Sequence, residues 1–175
     1  MNRSRNDHIV TIEDPIEFVH QDKKCVLSQR DIGHDSVNFA QALRAALRED
    51  PDIMLVGELR DVETMEVGLH AAETGHLVMS TLHTLNAGET INRMISMFPP
   101  HQEEQIRGQL ASVIQGIVSQ RLVVRADGRG RVPAVEIMIA TGLIRDCIRE
   151  ADKTPQIPSV IAAGTAQYGM QTFDQ

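Results

Sequence analysis

Acidic, hydroxyl and imidazole side chains follow three apolar runs of this chain. After "HIVTI" (8–12) come Glu13 and Asp14, with Glu17 just beyond Pro15. After "IMLV" (53–56) and Gly57 come Glu58, Arg60 and Asp61. The run "HLVM" (76–79) leads to Ser80 and Thr81, with His83 shortly after. Carboxylates, hydroxyls and an imidazole delivered to one sheet edge suit a hydrated magnesium ion and a water held in line with a phosphate. Each set alone has a plainer reading. An acidic residue after a strand is often a turn former or a helix cap, and a single histidine is more often a hydrogen-bonded structural group. Arginines such as Arg44, Arg48 and Arg60 can be ordinary surface charges. Only the convergence of the three sets points to phosphate chemistry.

Such a site also needs a cradle for the phosphates. The 175 residues contain no G-x-x-x-x-G-K-[ST], and none of the lysines (Lys23, Lys24, Lys153) follows a glycine. His70, His76 and His83 lack the short spacing of a zinc site, and Cys25 and Cys147 form no C-x-x-C. Structural zinc and a disulfide framework are therefore not expected.

The elements that must position these groups alternate in type. "HIVTI" and "CVLSQ" (25–29) read as strands, and 36–49 reads as a helix with Phe39, Leu43 and Leu47 inward and Ser36 as cap. A buried strand through Ile53–Val56 leads to a helix capped by Asp61. A strand through His76–Thr81 leads to a helix over 86–98 that closes at Pro99 and Pro100. Near-continuous apolar strands between helices predict a mainly parallel sheet covered on both faces, whose strand carboxyl ends form the ligand crevice. From His101 the texture changes. The spacing of Ile106, Leu110, Val113, Ile114 and Ile117 predicts one long helix over 101–120. A hairpin around "ADGRGR" and short helices at 143–150 and 155–163 follow. The expected organisation is residues 1–98 as an α/β core and 99–175 as a hairpin and helical subdomain.

The bulk composition narrows the class. Apolar residues make up 42% and aromatics 3%, so the core is aliphatic and methionine-rich. A net charge of −7 offers no field for a polyanion, which argues against nucleic-acid binding. No apolar run approaches the roughly 20 residues of a transmembrane helix.

In order, the motifs resemble those of the secretion and pilus motor ATPases, most closely the PilT-like branch that retracts type IV pili. "TIEDPIE" (11–17) is similar to the family's aspartate box, "LREDPDIMLVGELRD" (47–61) to its Walker B segment, and "AAETGHLVMSTLHT" (71–84) to its histidine box. Extension and type II secretion motors typically carry a tetracysteine zinc insert after the segment equivalent to "SQRLVVR". Here that segment runs on into "ADGRGRVPAVEIMIA" without cysteine, which favours the retraction branch. "LIRDCIREADKTPQI" (143–157) resembles the AIRNLIRE segment of that branch, departing from it at Leu143, Asp146 and Cys147.

The resemblance implies a RecA-like fold, ATP and Mg2+ as ligands, and a twitching-motility motor. It further implies a homo-hexamer that meets a pilus platform protein at the cytoplasmic face of the inner membrane. Glu17 is the implied general base and Glu58 the implied Walker B carboxylate, holding magnesium through water. Glu13 and Asp14 support the metal and nucleotide, Arg60 and Thr81 belong to the nucleotide site, and His83 is the implied phosphate or interface sensor. The sequence does not decide how Glu13 and Glu17 divide their work. The family places its phosphate loop immediately before the strand starting at His8. The chain is thus expected to be the carboxyl-side portion of a motor domain, to bind ATP poorly alone, and to expose an edge that favours self-association. A secretion or DNA-uptake motor, and a catalytically silent assembly or regulatory module, are the alternatives.

Overall fold

A computed structural model describes residues 1–174. They divide into two compact units, 1–82 and the residues from 83 on. The division falls ahead of the Pro99 position suggested by sequence texture, because the helix before Pro99 packs with elements that follow it.

Unit 1 holds strands β1 (His8–Glu13), β2 (Val26–Asp31), β3 (Ile53–Val56) and β4 (Leu77–Ser80), all parallel in the order β2-β1-β3-β4. Helices α1 (Phe39–Ala46) and α2 (Val62–Glu73) make the crossovers. In-register pairing of Val10 with Met54 and of Ile12 with Val56 puts these four side chains on one face. There they meet Phe39, Ala42, Leu43 and Ala46 of α1 and Val67 and Ala71 of α2. Ile12, Leu43 and Met54 are fully buried, so truncating any one to alanine costs about 2–5 kcal/mol. The alternate strand positions form a smaller cluster of Ile9, Ile53 and Cys25, flanked by half-buried Leu27, Leu77 and Met79. The expected two-sided helical cover is thus found on one face of this unit, among the described residues.

Two local expectations are corrected. Asn38, not Ser36, caps α1: its side-chain oxygen accepts from the Gln41 amide at 2.8 Å, whereas the Ser36 hydroxyl donates to the Asn38 carbonyl. The long helix over 101–120 ends early. Helix α4 covers Glu103–Val113, Ile114 is extended, and β5 begins at Gly116. A Cβ at Gly116 would lie 2.9 Å from the Met138 carbonyl oxygen. That glycine therefore lets the facing strand approach, and the hairpin competes successfully for residues whose apolar spacing also fits a helix.

Unit 2 contains α3 (Ala87–Ser96), α4, the antiparallel hairpin of β5 (Gly116–Val124) and β6 (Arg131–Ile139), α5 (Gly142–Arg149), α6 (Ile157–Ala163) and α7 (Thr165–Tyr168). Its core includes Ile91, Met138, Ile144, Ile148, Ile157 and Ile161, all fully buried. Among the described residues no helix is long and apolar enough to cross a membrane.

Candidate active site

Parallel strands carry the chain to one sheet edge, and β1 and β3 are neighbours there. The chain leaves β3 through Gly57, whose amide donates to the Ile12 carbonyl at 2.8 Å. A Cβ on Gly57 would sit 3.2 Å from that same carbonyl oxygen. A side chain here would crowd that carbonyl by a few tenths of an ångström, so the glycine suits the close approach of the β3 exit to β1. Arg60 joins the two. Its guanidinium pairs closely with Glu58 and lies 3.6 Å from an Asp14 oxygen. The Glu58 hydrogen bond is the main cause that raises the Arg60 pKa above its ordinary value. The Glu58 side chain is 18% exposed, and those of Asp14 and Arg60 are 40% and 59% exposed. This is a wet charged cluster at a strand end, open to a ligand.

The third strand closes the same edge. Thr81, just after β4, donates its hydroxyl to the Gly57 carbonyl at 2.6 Å, and its own carbonyl accepts from the Leu59 amide at 3.3 Å. Thr81 thereby ties the segment carrying Glu58 to the end of β4. Asp61 is occupied as the cap of α2, accepting from the Thr64 amide at 2.8 Å and the Thr64 hydroxyl at 2.9 Å.

Glu13 is held within its own layer. One carboxylate oxygen accepts from the Thr11 hydroxyl at 2.6 Å and from the Gln29 amide nitrogen at 3.0 Å. Glu17 is exposed, on the irregular segment between β1 and β2. His83 is the first residue of unit 2 and is exposed at the surface of that unit. The segment after it is tightly held: Arg121 donates twice to the Leu85 carbonyl, at 3.2 and 3.0 Å. The buried Glu136 accepts from the Ala87 amide at 2.7 Å, at the start of α3.

Gln29, Arg121 and Glu136 were not expected from sequence. Each acts across a long stretch of chain, and only tertiary packing brings it to its partners. The pairing of Thr11 with Gln29 is the signal for the first. Among the described residues no group of three or more His, Cys, Asp or Glu side chains is arranged to hold a metal. Magnesium is usually held by only one or two carboxylates, with water and phosphate filling the rest of its shell, and the Arg60-linked carboxylates of Glu58 and Asp14 are hard oxygen donors of that kind.

A family model described as "Type II/IV secretion system protein" matches residues 1–166. The chain belongs to that family. The type IV pilus retraction ATPase PilT of Pseudomonas aeruginosa is 52% identical over 99% of this chain and 50% of its own length. A twitching motility protein of Neisseria gonorrhoeae is 50% identical over the whole chain and 46% of its own length. A crystal structure of the pilus retraction motor PilT with bound ADP superposes with a TM-score of 0.84 at 46% identity, over 99% of this chain and 52% of the other. The chain thus spans about half the length of the relatives it matches. The RecA-like, mainly parallel fold with a separate hairpin is the fold of these ATPases, and the chain is PilT-like.

Proposed function

We propose that this chain is part of the catalytic domain of a homo-hexameric, ATP-hydrolysing motor. The motor retracts type IV pili from the cytoplasmic face of the inner membrane, against a membrane platform protein. The observation that carries the reading is the Asp14–Arg60–Glu58 cluster at the adjoining ends of β1 and β3. It stands in a chain 52% identical to a pilus retraction ATPase.

In this reading Glu58 fixes a water of the magnesium shell, with Glu13 and Asp14 as supporting carboxylates. Magnesium, when bound, neutralises charge developing on the transferring phosphate. Glu17 orients the attacking water and accepts its proton. Arg60, more than half exposed, can turn from the two carboxylates to a phosphate oxygen without disturbing the core. Thr81 fixes the β3 exit and adds a hydroxyl to the nucleotide site, and His83 senses the phosphate or the neighbouring subunit. The phosphate grip itself belongs to a Walker A loop, which these 175 residues do not contain. The chain alone is therefore expected to hydrolyse ATP poorly.

The test uses the intact protein that carries the loop. It is expected to show Mg-dependent ATPase activity, and cells carrying Glu17→Gln are expected to lose twitching motility while the purified variant still binds ATP. Unaltered turnover in Glu17→Gln would remove Glu17 from the mechanism.

A further inference from the structure

Glu17 lies in a segment, 14–25, with no regular secondary structure, yet a general base must be held to within a fraction of an ångström. The Asn2 amide holds its later part, donating to the Gln21 carbonyl and accepting from the Lys23 N–H, and the Gln29 side chain spans the part around Glu17. The Gln29 amide nitrogen donates to Glu13 Oε1 at 3.0 Å and to the Phe18 carbonyl at 2.9 Å. Its amide oxygen accepts from the His20 backbone N–H at 2.7 Å. These three bonds bracket Glu17, one partner lying before it in sequence and two after. Gln29 is itself half-buried and fixed in β2, paired in register with Thr11 of β1. Thr11 completes the arrangement by donating to the same Glu13 oxygen at 2.6 Å.

We propose that Gln29 is the positioning residue that holds the Glu17 loop in its working geometry, with Glu13 as the strut through which it does so. The inference rests on the reading of Glu17 as general base, and it sharpens the division between the two glutamates. Glu13 has one oxygen committed to Thr11 and Gln29, so its part is to anchor the loop and to offer at most its other oxygen to the metal shell. Glu17, carried between the anchored points, is the group that meets the water. An amide suits the task because it both donates and accepts: a carboxylate would lose the two donations, and an apolar side chain would lose all three bonds. Phe18 and Val19 reinforce the need for such an anchor. Both are strongly exposed, so core packing does not hold the stretch just after Glu17.

The test is a double-mutant cycle in the intact ATPase, joined to hydrogen exchange of residues 14–20. Gln29→Met preserves side-chain size. It is expected to speed exchange at the His20 amide and to lower kcat about tenfold, leaving KM for ATP within about twofold. Gln29→Glu, which retains solubility and the acceptor for His20, is expected to lower kcat at least as much, because it sets a second carboxylate against Glu13. In a Glu17→Gln background Gln29→Met is expected to cause no further loss. The same factor of loss in both backgrounds, or unchanged exchange over 14–20, would overturn the proposal. Should Glu17→Gln itself leave turnover intact, the general-base reading fails. The exchange result then still decides whether Gln29 holds the loop.

Discussion

Two arginines of this chain have similar numbers of partners and opposite consequences. Arg60 sits at the end of β3 with its side chain 59% exposed, between the carboxylates of Glu58 and Asp14. Arg107 sits inside unit 2 with its side chain 8% exposed. It pairs with Glu103 at 3.0 Å and donates to the Ile148 carbonyl and the Thr154 hydroxyl, each at 3.0 Å. Arg107 has spent its donors on α4, α5 and the turn after them, and water cannot replace those partners. Arg60 exchanges its carboxylates for water or phosphate at little cost, because exposed ion pairs contribute little to folding. The buried cluster is architecture. The exposed one is available for chemistry.

The comparison can be broken by substitution. The largest expected effect is from Arg107→Ala, which removes the donor to the Ile148 carbonyl and to the Thr154 hydroxyl and opens a hole between helices. A loss of about 3 kcal/mol, read as a lowered denaturation midpoint, is expected. A variant as stable as the parent would mean that Arg107 does not hold the unit together. Thr154→Val comes next. It removes the acceptor of Arg107 and the 2.9 Å donation to the Cys147 carbonyl. About 1–2 kcal/mol is expected from the same measurement.

A smaller effect should appear in the pH dependence. Burial, with Asp146 next in importance, pushes the Cys147 thiol above its ordinary pKa of 9.0. The folded chain then keeps the proton where the unfolded chain has released it. The contribution of Cys147 is full below the unfolded pKa and is lost as pH rises through the folded one. Melting temperature should therefore decline above about pH 9, and less so in Cys147→Ala. Equal slopes in the two proteins would remove the cysteine from the account. The smallest effect on stability is expected for Arg60→Ala, a shift within about 1 °C. The same variant should lower ATP turnover in the intact protein, so a large melting shift without a change in turnover would reverse the roles assigned to the two arginines.

Much of the parallel core was legible because its determinants are local. Apolar strands around Val10, Met54 and Val78, the helix-capping Asp61, and glycines and prolines at the breaks all act within a few residues of where they stand. The helix over 101–120 was misread for a tertiary reason: Ile114, Ile117 and Val118 suit either a helix or a strand, and the approach of β6 at Gly116 decides between them. The carboxylates at the strand ends were legible from topology, since parallel strands deliver their following residues to one edge. Gln29, Glu136 and Arg107 were not, because their partners lie 9–16, 49 and 41–47 residues away apart from the local Glu103 pair. An amide or a guanidinium carries no periodicity that announces such a contact.

The measurement that bears most directly on the strand-end cluster is ATP turnover by Glu58→Gln in the intact protein, with a thermal melt run alongside. The substitution keeps the size of the side chain and removes the charge that faces Arg60. A fall in kcat of about 100-fold or more with an unchanged melting temperature is the expected result. Turnover within about twofold of the unsubstituted protein would contradict the assignment of this site to phosphoryl transfer.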